Sequence, residues 1–230
     1  ILTIKTSIYL IMQILSINVS EPKKIMFNGK ELITSIYKKP IEGSVEVGEI
    51  GLKGDRQADM KVHGGYDKAV YAYSYKHYKT WSDKLDKDYQ DFGLVGENLT
   101  IDDFNEKQIN IGDELQIGNC IFQVSQPRIP CFKIGIKMNS REFPKMFSQS
   151  CLLGAYLRVI KDGTISTNDE IIISKKEPNS LSIYQIAELI FKDINNIDKM
   201  KHALDLKYLT EEIKERFRER LMKLGDFGSL

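Results

Sequence analysis

Alternation of apolar and polar residues runs through most of the chain and predicts a β-rich fold. Residues 12–19 have the composition of a buried strand, and residues 44–50 alternate as a half-buried strand does. Further strand-like segments are expected at residues 69–73, 108–125, 155–160 and 170–174. Asn28-Gly29 predicts a hairpin turn between two apolar segments. Because the strands are short and mostly joined by turns, we expect an antiparallel or mixed barrel rather than a doubly wound sheet.

After Pro178 the apolar residues change from alternation to helical spacing. Ser182 and Gln185 are spaced as a capping box. The apolar positions that follow recur at i, i+3, i+4 and i+7, namely Ile183, Ile186, Ala187 and Ile190. Thr210 is expected to cap a last helix, and a shorter helix is expected near residues 200–206. The pattern therefore predicts a small three-helix segment at the end of the given sequence.

These patterns divide the chain into a barrel domain at residues 12–178 and a helical domain at residues 180–230. Residues 1–11 are expected to be an upstream extension, since the chain does not begin with methionine and Met12 fits a natural start. Their apolar run of about 10–15 residues is too short to span a bilayer. It also lacks the basic start and the cleavage site of a signal peptide. We therefore expect no membrane as a partner.

The composition is ordinary for a soluble globular protein, with 42% hydrophobic and 28% charged residues. A net charge of +1 gives no overall field that would recruit nucleic acid. The 3 cysteines form neither an even set nor a CxxC pair, which argues against a disulfide framework and a zinc ribbon. A reducing cytoplasmic setting is the simplest interpretation. No Rossmann or P-loop glycine pattern supports a nucleotide cofactor.

Cys131 is the candidate reactive residue. It lies in QPRIPCFKI, where two prolines fix the backbone just ahead of the thiol. The apolar spacing over residues 131–138 predicts a short helix that starts at or near the cysteine. The helix N-terminus and the nearby charges of Arg128 and Lys133 both favour the thiolate. A thiolate attacks electrophiles or binds a soft metal.

Three polar segments combine glycines with charged side chains: residues 51–59, 61–69 and 96–100. Glycines let the backbone approach a ligand closely, and their N–H groups bind anions. Candidate groups for binding a phosphate are the side chains of Lys53, Arg56, Lys61, Lys68 and Arg128, and the glycines Gly64 and Gly65. His63 is a candidate proton donor or ligand-orienting group.

The segments KVHGGYDKAVYAY, GENLT and QPRIPCFKI resemble the MOSC domain, which is named for the C-terminus of molybdenum cofactor sulfurase, and are most similar to its YiiM type. The resemblance covers about residues 12–174 in order and spacing. The tail is similar to the three-helix segment that follows the domain in that subgroup. GENLT alone is a weak signal, but the segments together are fairly specific. The resemblance implies a mainly β fold, a mixed barrel-like MOSC domain with short helices, followed by a small C-terminal three-helix segment.

The resemblance also implies a cofactor and a reaction. In related amidoxime-reducing enzymes the cysteine that corresponds to Cys131 ligates molybdenum held by a pterin dithiolene. The implied protein binds the molybdenum cofactor (molybdopterin) and reduces N-hydroxylated bases such as 6-hydroxylaminopurine, with His63 as a possible proton source. An electron-donor protein is then the expected partner. The residues expected to line the cofactor pocket are His63, Asp67, Asn98 and Arg128, and Glu97 is a further candidate contact of the cofactor.

Other interpretations remain open. In sulfurase-type relatives the cysteine is thought to carry sulfur, so a persulfide carrier or a cofactor-binding module without turnover is the main alternative. A cysteine hydrolase would need His63 within hydrogen-bond reach of Cys131. Asn98 fits a turn anchor, bonded to its own backbone, as well as it fits a ligand contact.

Several residues that attract notice are expected to be structural. Core positions are favoured for two cysteines and three alternating tyrosines: Cys120, Cys151, Tyr71, Tyr73 and Tyr75. The tyrosines have a weaker alternative as a stacking surface for a purine. His77 is expected to face solvent from a helix, and His202 in the tail is expected to play no part in the chemistry.

Overall fold

The computed structural model describes residues 12–59 and 64–226. Its strands are β1 Met12–Val19, β2 Lys23–Phe27, β3 Lys30–Thr34, β4 Lys39–Pro40, β5 Ser44–Gly48, β6 Gly51–Leu52, β7 Val70–Ser74, β8 Leu99–Ile101, β9 Glu114–Ile117, β10 Cys120–Pro127, β11 Ala155–Lys161, β12 Gly163–Ser166 and β13 Glu170–Lys175. Its helices are α1 Lys76–Leu85, α2 Phe132–Lys137, α3 Phe143–Ser150, α4 Ile183–Phe191, α5 Ile197–Asp205 and α6 Glu211–Lys223, with a 3₁₀ turn at Tyr66–Lys68. The predictions made for residues 1–11, Lys61 and His63 lie outside the described residues.

Seven strands of the described chain close into a barrel. Their order is β13-β9-β10-β11-β7-β8-β1, and pairing of β1 with β13 completes the circle. The neighbours are antiparallel except β7 and β8, which run parallel. Closure leaves these strands without a free edge. The mixed barrel expected from the short, turn-linked strands is confirmed.

Two smaller sheets lie outside the barrel. One has the order β12-β5-β6, and the other is the hairpin of β2 and β3. Asn28 and Gly29 join the hairpin strands with φ of 50° and 73°, the left-handed values that its two-residue turn needs. The hairpin predicted from this dipeptide is therefore confirmed. It leads directly into Thr34 and Ser35, which reach the candidate site.

The helical tail begins as its sequence predicts. Ser182 and Gln185 form both hydrogen bonds of the capping box at the start of α4. Thr210 occupies the cap position of α6, but its side chain does not cap the helix. Its hydroxyl instead donates to Oε1 of Gln126, 2.7 Å away. The prediction of a Thr210 side-chain cap was therefore wrong, because the side chain is directed toward a buried acceptor in the barrel and not toward the N–H groups of the first helical turn.

Barrel and tail share one hydrophobic core. Phe122 and Leu157 of the barrel belong to the same buried cluster as Ile186 and Phe217 of the tail. A second cluster covers the other side of β7 and β11 and is rich in aromatic rings, including Trp81. None of the helices in the described ranges is long and apolar enough to cross a membrane.

Most of the residues that were expected to be structural lie in the core. The two cysteines and two of the tyrosines are almost fully buried, as predicted: Cys120, Cys151, Tyr71 and Tyr73. Tyr75 lies just before α1 and is only partly buried. The expectation that His77 faces solvent was wrong, since its side chain is 15% exposed and its Nε2 lies 3.0 Å from both carboxylate oxygens of Glu106. The buried carboxylate draws the imidazole inward from the helix surface.

Candidate functional site

A pocket lies where β10 leaves the barrel, and Cys131 forms part of its wall. Four of the residues proposed from sequence line it: Lys68, Asn98, Arg128 and Cys131. They come from the 3₁₀ turn, from the residue just before β8, and from the segment between β10 and α2. The fold thus brings the 3₁₀ turn and the start of β8, which are far away in sequence, to the segment that carries the thiol.

Cys131 lies at the junction of an extended segment and a helix. Its φ of −111° and ψ of 171° are extended, and α2 starts at the next residue. The side chain is partly exposed, and no disulfide joins any of the three cysteines, all of which are described. The short helix predicted from the apolar spacing is present, although it is only 6 residues long. The accessible thiol, and not the helix, is the chemically useful feature.

Aromatic rings hold Arg128 in the wall of the pocket. Its guanidinium lies 4.7 Å from the centre of the Tyr71 ring, and its Nη1 donates to the carbonyl of Val95. Tyr156 pairs with Tyr71 across neighbouring strands, with ring centres 5.4 Å apart. Burial raises the pKa of both phenols, so the rings are neutral. Arg128, only 7% exposed, is therefore a cation of fixed position.

A buried ion pair between Lys38 and Asp55 supports another side of the pocket. The two side chains are 7% and 1% exposed, and Lys38 reaches the pocket wall. Asp55 also accepts hydrogen bonds from the backbone N–H of Ser20 at 2.8 Å and from Nδ2 of Asn98 at 2.9 Å. Burial lowers the pKa of Lys38, against the attraction of the Asp55 carboxylate. This carboxylate thus fixes both a pocket lysine and a pocket asparagine.

Asn98 acts mainly on the backbone. Its Oδ1 accepts from the N–H of Tyr71 at 3.1 Å, and its own N–H donates to the Tyr71 carbonyl at 2.8 Å. Its Nδ2 also lies 3.2 Å from the carbonyl of Asn18. These bonds tie the start of β8 to β7 and β1. Asn98 therefore lines the pocket while its side chain serves as a structural link between strands.

The hairpin side of the pocket carries an unsatisfied polar atom. Oγ of Ser35 is buried and has no hydrogen-bond partner among the described residues. Gly96 lies opposite this segment with φ of +87°, and an added Cβ would come within 2.8 Å of Ile36 Cγ1. Only glycine allows the backbone to pass so close to the pocket wall here.

The basic groups proposed in the first polar segment do not reach this pocket. Lys53 pairs with Glu46, and Arg56 pairs with Glu21, each at 2.9 Å on the exposed surface. Gly64 and Gly65 precede the 3₁₀ turn without lining the pocket. The sequence identified these residues by charge and glycine content, and neither property reveals which way a loop faces.

Two acidic candidates are also placed elsewhere. Asp67 pairs with Arg158, whose Nε lies 2.5 Å from its carboxylate. Glu97 is fully buried and accepts hydrogen bonds from the N–H of Val95, from the hydroxyl of Thr100 and from that of Tyr78. Neither carboxylate lines the pocket. The two carboxylates instead stabilise the neighbouring segments: Asp67 the turn that carries Lys68, and Glu97 the segment that carries Asn98.

The sequence did not identify several residues of the pocket: Ser35, Lys38, Tyr156 and Lys133. Lys133 was noted for its charge, but it was not proposed as a site residue. Tyr156 pairs with both Tyr71 and Gln126 across the barrel, and this strand register is not given by the sequence alone. Lys38 has no local signal, since its importance comes from an aspartate 17 residues later.

The donors present fit a ligand that combines a soft metal with an anionic group. The described lining contains four basic side chains, Lys38, Lys68, Arg128 and Lys133, and one acidic side chain, Asp59. A partly exposed thiol lies among them, together with the unsatisfied Ser35 hydroxyl. Thiolate is a preferred ligand of soft metals, and basic side chains bind phosphate. Among the described residues, no cluster of three His, Cys, Asp or Glu side chains is arranged to hold a metal ion.

Comparisons with known proteins agree with this arrangement. The MOSC domain model matches residues 59–172. The uncharacterized protein YflK of Bacillus subtilis is 30% identical over 211 residues, which cover 92% of this chain and 95% of YflK. A protein of Gibberella moniliformis named Reductase is 30% identical over 165 residues, 70% of this chain but 29% of that protein. The crystal structure of YiiM from Geobacillus stearothermophilus superposes with a TM-score of 0.77 and 30% identity, covering 91% of this chain and 99% of that one.

Proposed function

Since the chain belongs to the MOSC domain family, we propose that it is a molybdenum-cofactor-dependent reductase of small N-hydroxylated compounds, such as 6-hydroxylaminopurine. The observation that carries this proposal is the position of the Cys131 thiol in a pocket whose charged side chains are four basic groups and one acidic group. The similarity to a protein named Reductase adds support for redox chemistry.

The residues of the pocket have separate tasks in this proposal. Cys131 binds the metal through its sulfur as a thiolate. Arg128 and Lys68 bind the phosphate of the cofactor with charge-assisted hydrogen bonds. The neutral rings of Tyr71 and Tyr156 form apolar parts of the pocket wall and keep Arg128 in place. When bound, the cofactor supplies the electron transfer that cleaves the N–O bond.

The overall reaction consumes two electrons and two protons, and it converts R–NHOH to R–NH₂ and water. His63 remains the proposed proton source. Electrons come from an electron-donor protein in the cytoplasm. The protein itself binds the cofactor and the substrate, orients them and balances the charge of the cofactor.

The test is to purify the protein from a host that makes the cofactor and to measure molybdenum, pterin and reduction of 6-hydroxylaminopurine with an artificial reductant. We expect all three signals in the wild type and their loss in Cys131→Ser. Cys151→Ala is the matched control, because it alters a thiol outside the pocket. A well-folded wild type with neither molybdenum nor pterin, and no turnover, would refute the proposal. A sulfur adduct on Cys131 in such a preparation would favour the persulfide carrier instead.

A further inference from the structure

Helix α6 reaches the pocket through an ion pair between Glu212 and Lys68. Nζ of Lys68 donates to the Glu212 carboxylate, and the two side chains are 10% and 46% exposed. The same ammonium lies 5.9 Å from the centre of the Tyr156 ring in the pocket wall. A residue of the helical tail thus pairs with a lysine of the pocket wall.

The turn that carries Lys68 is tied to the tail in a second way. Arg158 donates from Nε to Asp67 and from Nη1 to the carbonyl of Tyr208, at 2.5 and 2.9 Å. Tyr208 lies just before α6. The Ser125 hydroxyl also holds the Asp67 carbonyl, at 2.6 Å. The backbone of the turn is therefore fixed independently of Glu212, so that Glu212 acts chiefly on the Lys68 side chain.

The start of α6 is fixed against the barrel near the thiol segment as well. Thr210 donates to Gln126 at 2.7 Å, and both side chains are buried. Gln126 lies two residues before Arg128 in the chain. A carboxylate carried by α6 is thus held at a defined place relative to Lys68 and Arg128, two of the four cations of the pocket.

We propose that Glu212 is a positioning residue that orients Lys68 toward the anionic end of the bound ligand. The inference rests on the proposed function, since it requires the pocket to take an anion. A lysine side chain loses rotamer entropy when it is fixed. A partner that restricts the side chain before the ligand arrives reduces this cost of binding. The tail then serves the pocket directly, through one side chain.

The experiment measures binding of inorganic phosphate to the protein without cofactor, followed by backbone amide signals of residues 66–68 and 131–133 in NMR spectra. We expect Glu212→Gln to weaken binding by about threefold or more and Lys68→Met to weaken it at least as much. In the double variant, the loss should equal that of Lys68→Met alone. Glu211→Gln is the matched control, because Glu211 is the adjacent carboxylate on the same helix and pairs with Arg218. It should bind phosphate as the wild type does.

The other possible results distinguish the positioning role of Glu212 from the anion-binding role of the pocket. If Lys68→Met weakens binding and Glu212→Gln does not, the positioning role is wrong and the anionic pocket stands. If Glu212→Gln has the same effect in the presence and absence of Lys68, Glu212 does not act through the lysine. If the wild type binds no phosphate, the proposed cofactor site and the positioning role both fail. Thermal unfolding of each variant establishes that the comparison is between folded proteins.

Discussion

Nδ2 of Asn98 lies 2.9 Å from a carboxylate oxygen of Asp55, beneath the wall of the pocket. The other oxygen of the same carboxylate receives the ammonium of Lys38. Asn98 was predicted to contact the cofactor, and Asp55 was not singled out at all. Their contact makes Asn98 a neutral bridge between a buried ion pair and the start of β8.

Asn98→Asp should destabilise the protein strongly. The new carboxylate would face Asp55 without a donor between them, and like charges at hydrogen-bond distance repel strongly in a buried site. We expect a loss of about 2–4 kcal/mol at neutral pH, in the range for breaking a buried polar network. Urea unfolding at pH 7 measures it. Stability should partly recover at acidic pH, where one of the two carboxylates becomes protonated.

A smaller substitution separates the two roles considered for Asn98. Asn98→Ala removes the bridge without adding charge, so it should lower the free energy of unfolding. Phosphate binding by the folded variant should change less than it does in Lys68→Met. Unchanged stability together with lost phosphate binding would instead make Asn98 a direct ligand contact.

Lys38→Met should cost about 3–5 kcal/mol, because it leaves the Asp55 carboxylate buried without its counter-charge. Adding Asp55→Asn should restore part of this loss, since no buried charge is then left without a counter-charge. Lys53→Met is the control: Lys53 pairs with Glu46 but is 70% exposed, so its loss should cost less than about 1 kcal/mol. Equal effects in the two lysine variants would contradict the assigned importance of burial. Equilibrium unfolding in urea measures the free energy of unfolding of each variant.

The contrast between Lys38 and Lys53 shows that the sequence does not predict which charged loop residues line the pocket. Alternation and turn signals depend on neighbouring residues, so they predicted the barrel strands, the Asn28-Gly29 hairpin and the capping box at Ser182. The direction in which a charged loop residue points depends on partners far away in the chain. Lys53 and Arg56 were therefore assigned to a pocket they do not reach. Lys38 was overlooked although it lines the pocket.

The candidate site was predictable to the extent that its segments carry family-like motifs. QPRIPCFKI and GENLT identified Cys131, Arg128 and Asn98, and all three line one pocket. The same motif suggested Glu97, yet its side chain does not line the pocket and instead accepts hydrogen bonds from Tyr78, Thr100 and Val95. A motif thus gives the segment, while packing decides which of its side chains faces a ligand.

Cys131 should be the cysteine that reacts with iodoacetamide at pH 8. Cys120 and Cys151 are fully buried, and burial raises the pKa of each thiol to about 11. At pH 8, only about one in a thousand of these two thiols is ionised, and the thiolate is the reactive form. Peptide mass spectrometry should find the label on Cys131 first. Labelling of all three should occur only after unfolding in guanidinium chloride. Labelling of a buried cysteine at the same rate in the folded protein would contradict the assignment.

Lys137 should give the protein a measurable pH dependence of stability. Burial lowers its pKa to about 8, and its ammonium donates to the carbonyls of Ile36, at 3.0 Å, and Gly93. In the unfolded chain a lysine titrates near about 10.4. Between these values the unfolded chain binds more protons than the folded one, so this group makes stability rise with pH. The slope is at most about 1.4 kcal/mol per pH unit for one proton.

Two variants isolate this contribution of Lys137. Lys137→Met removes the titrating group, and Lys137→Arg keeps the donors but does not titrate in this range. The free energy of unfolding of the wild type, relative to either variant, should therefore increase from pH 8 to about pH 10.5 and stay level below pH 7. Urea unfolding at half-unit steps of pH and constant ionic strength measures the difference. A flat difference across this range would show that the amine stays solvated in the folded protein, because burial and the nearby cations Arg128 and Lys38 would otherwise favour its neutral form.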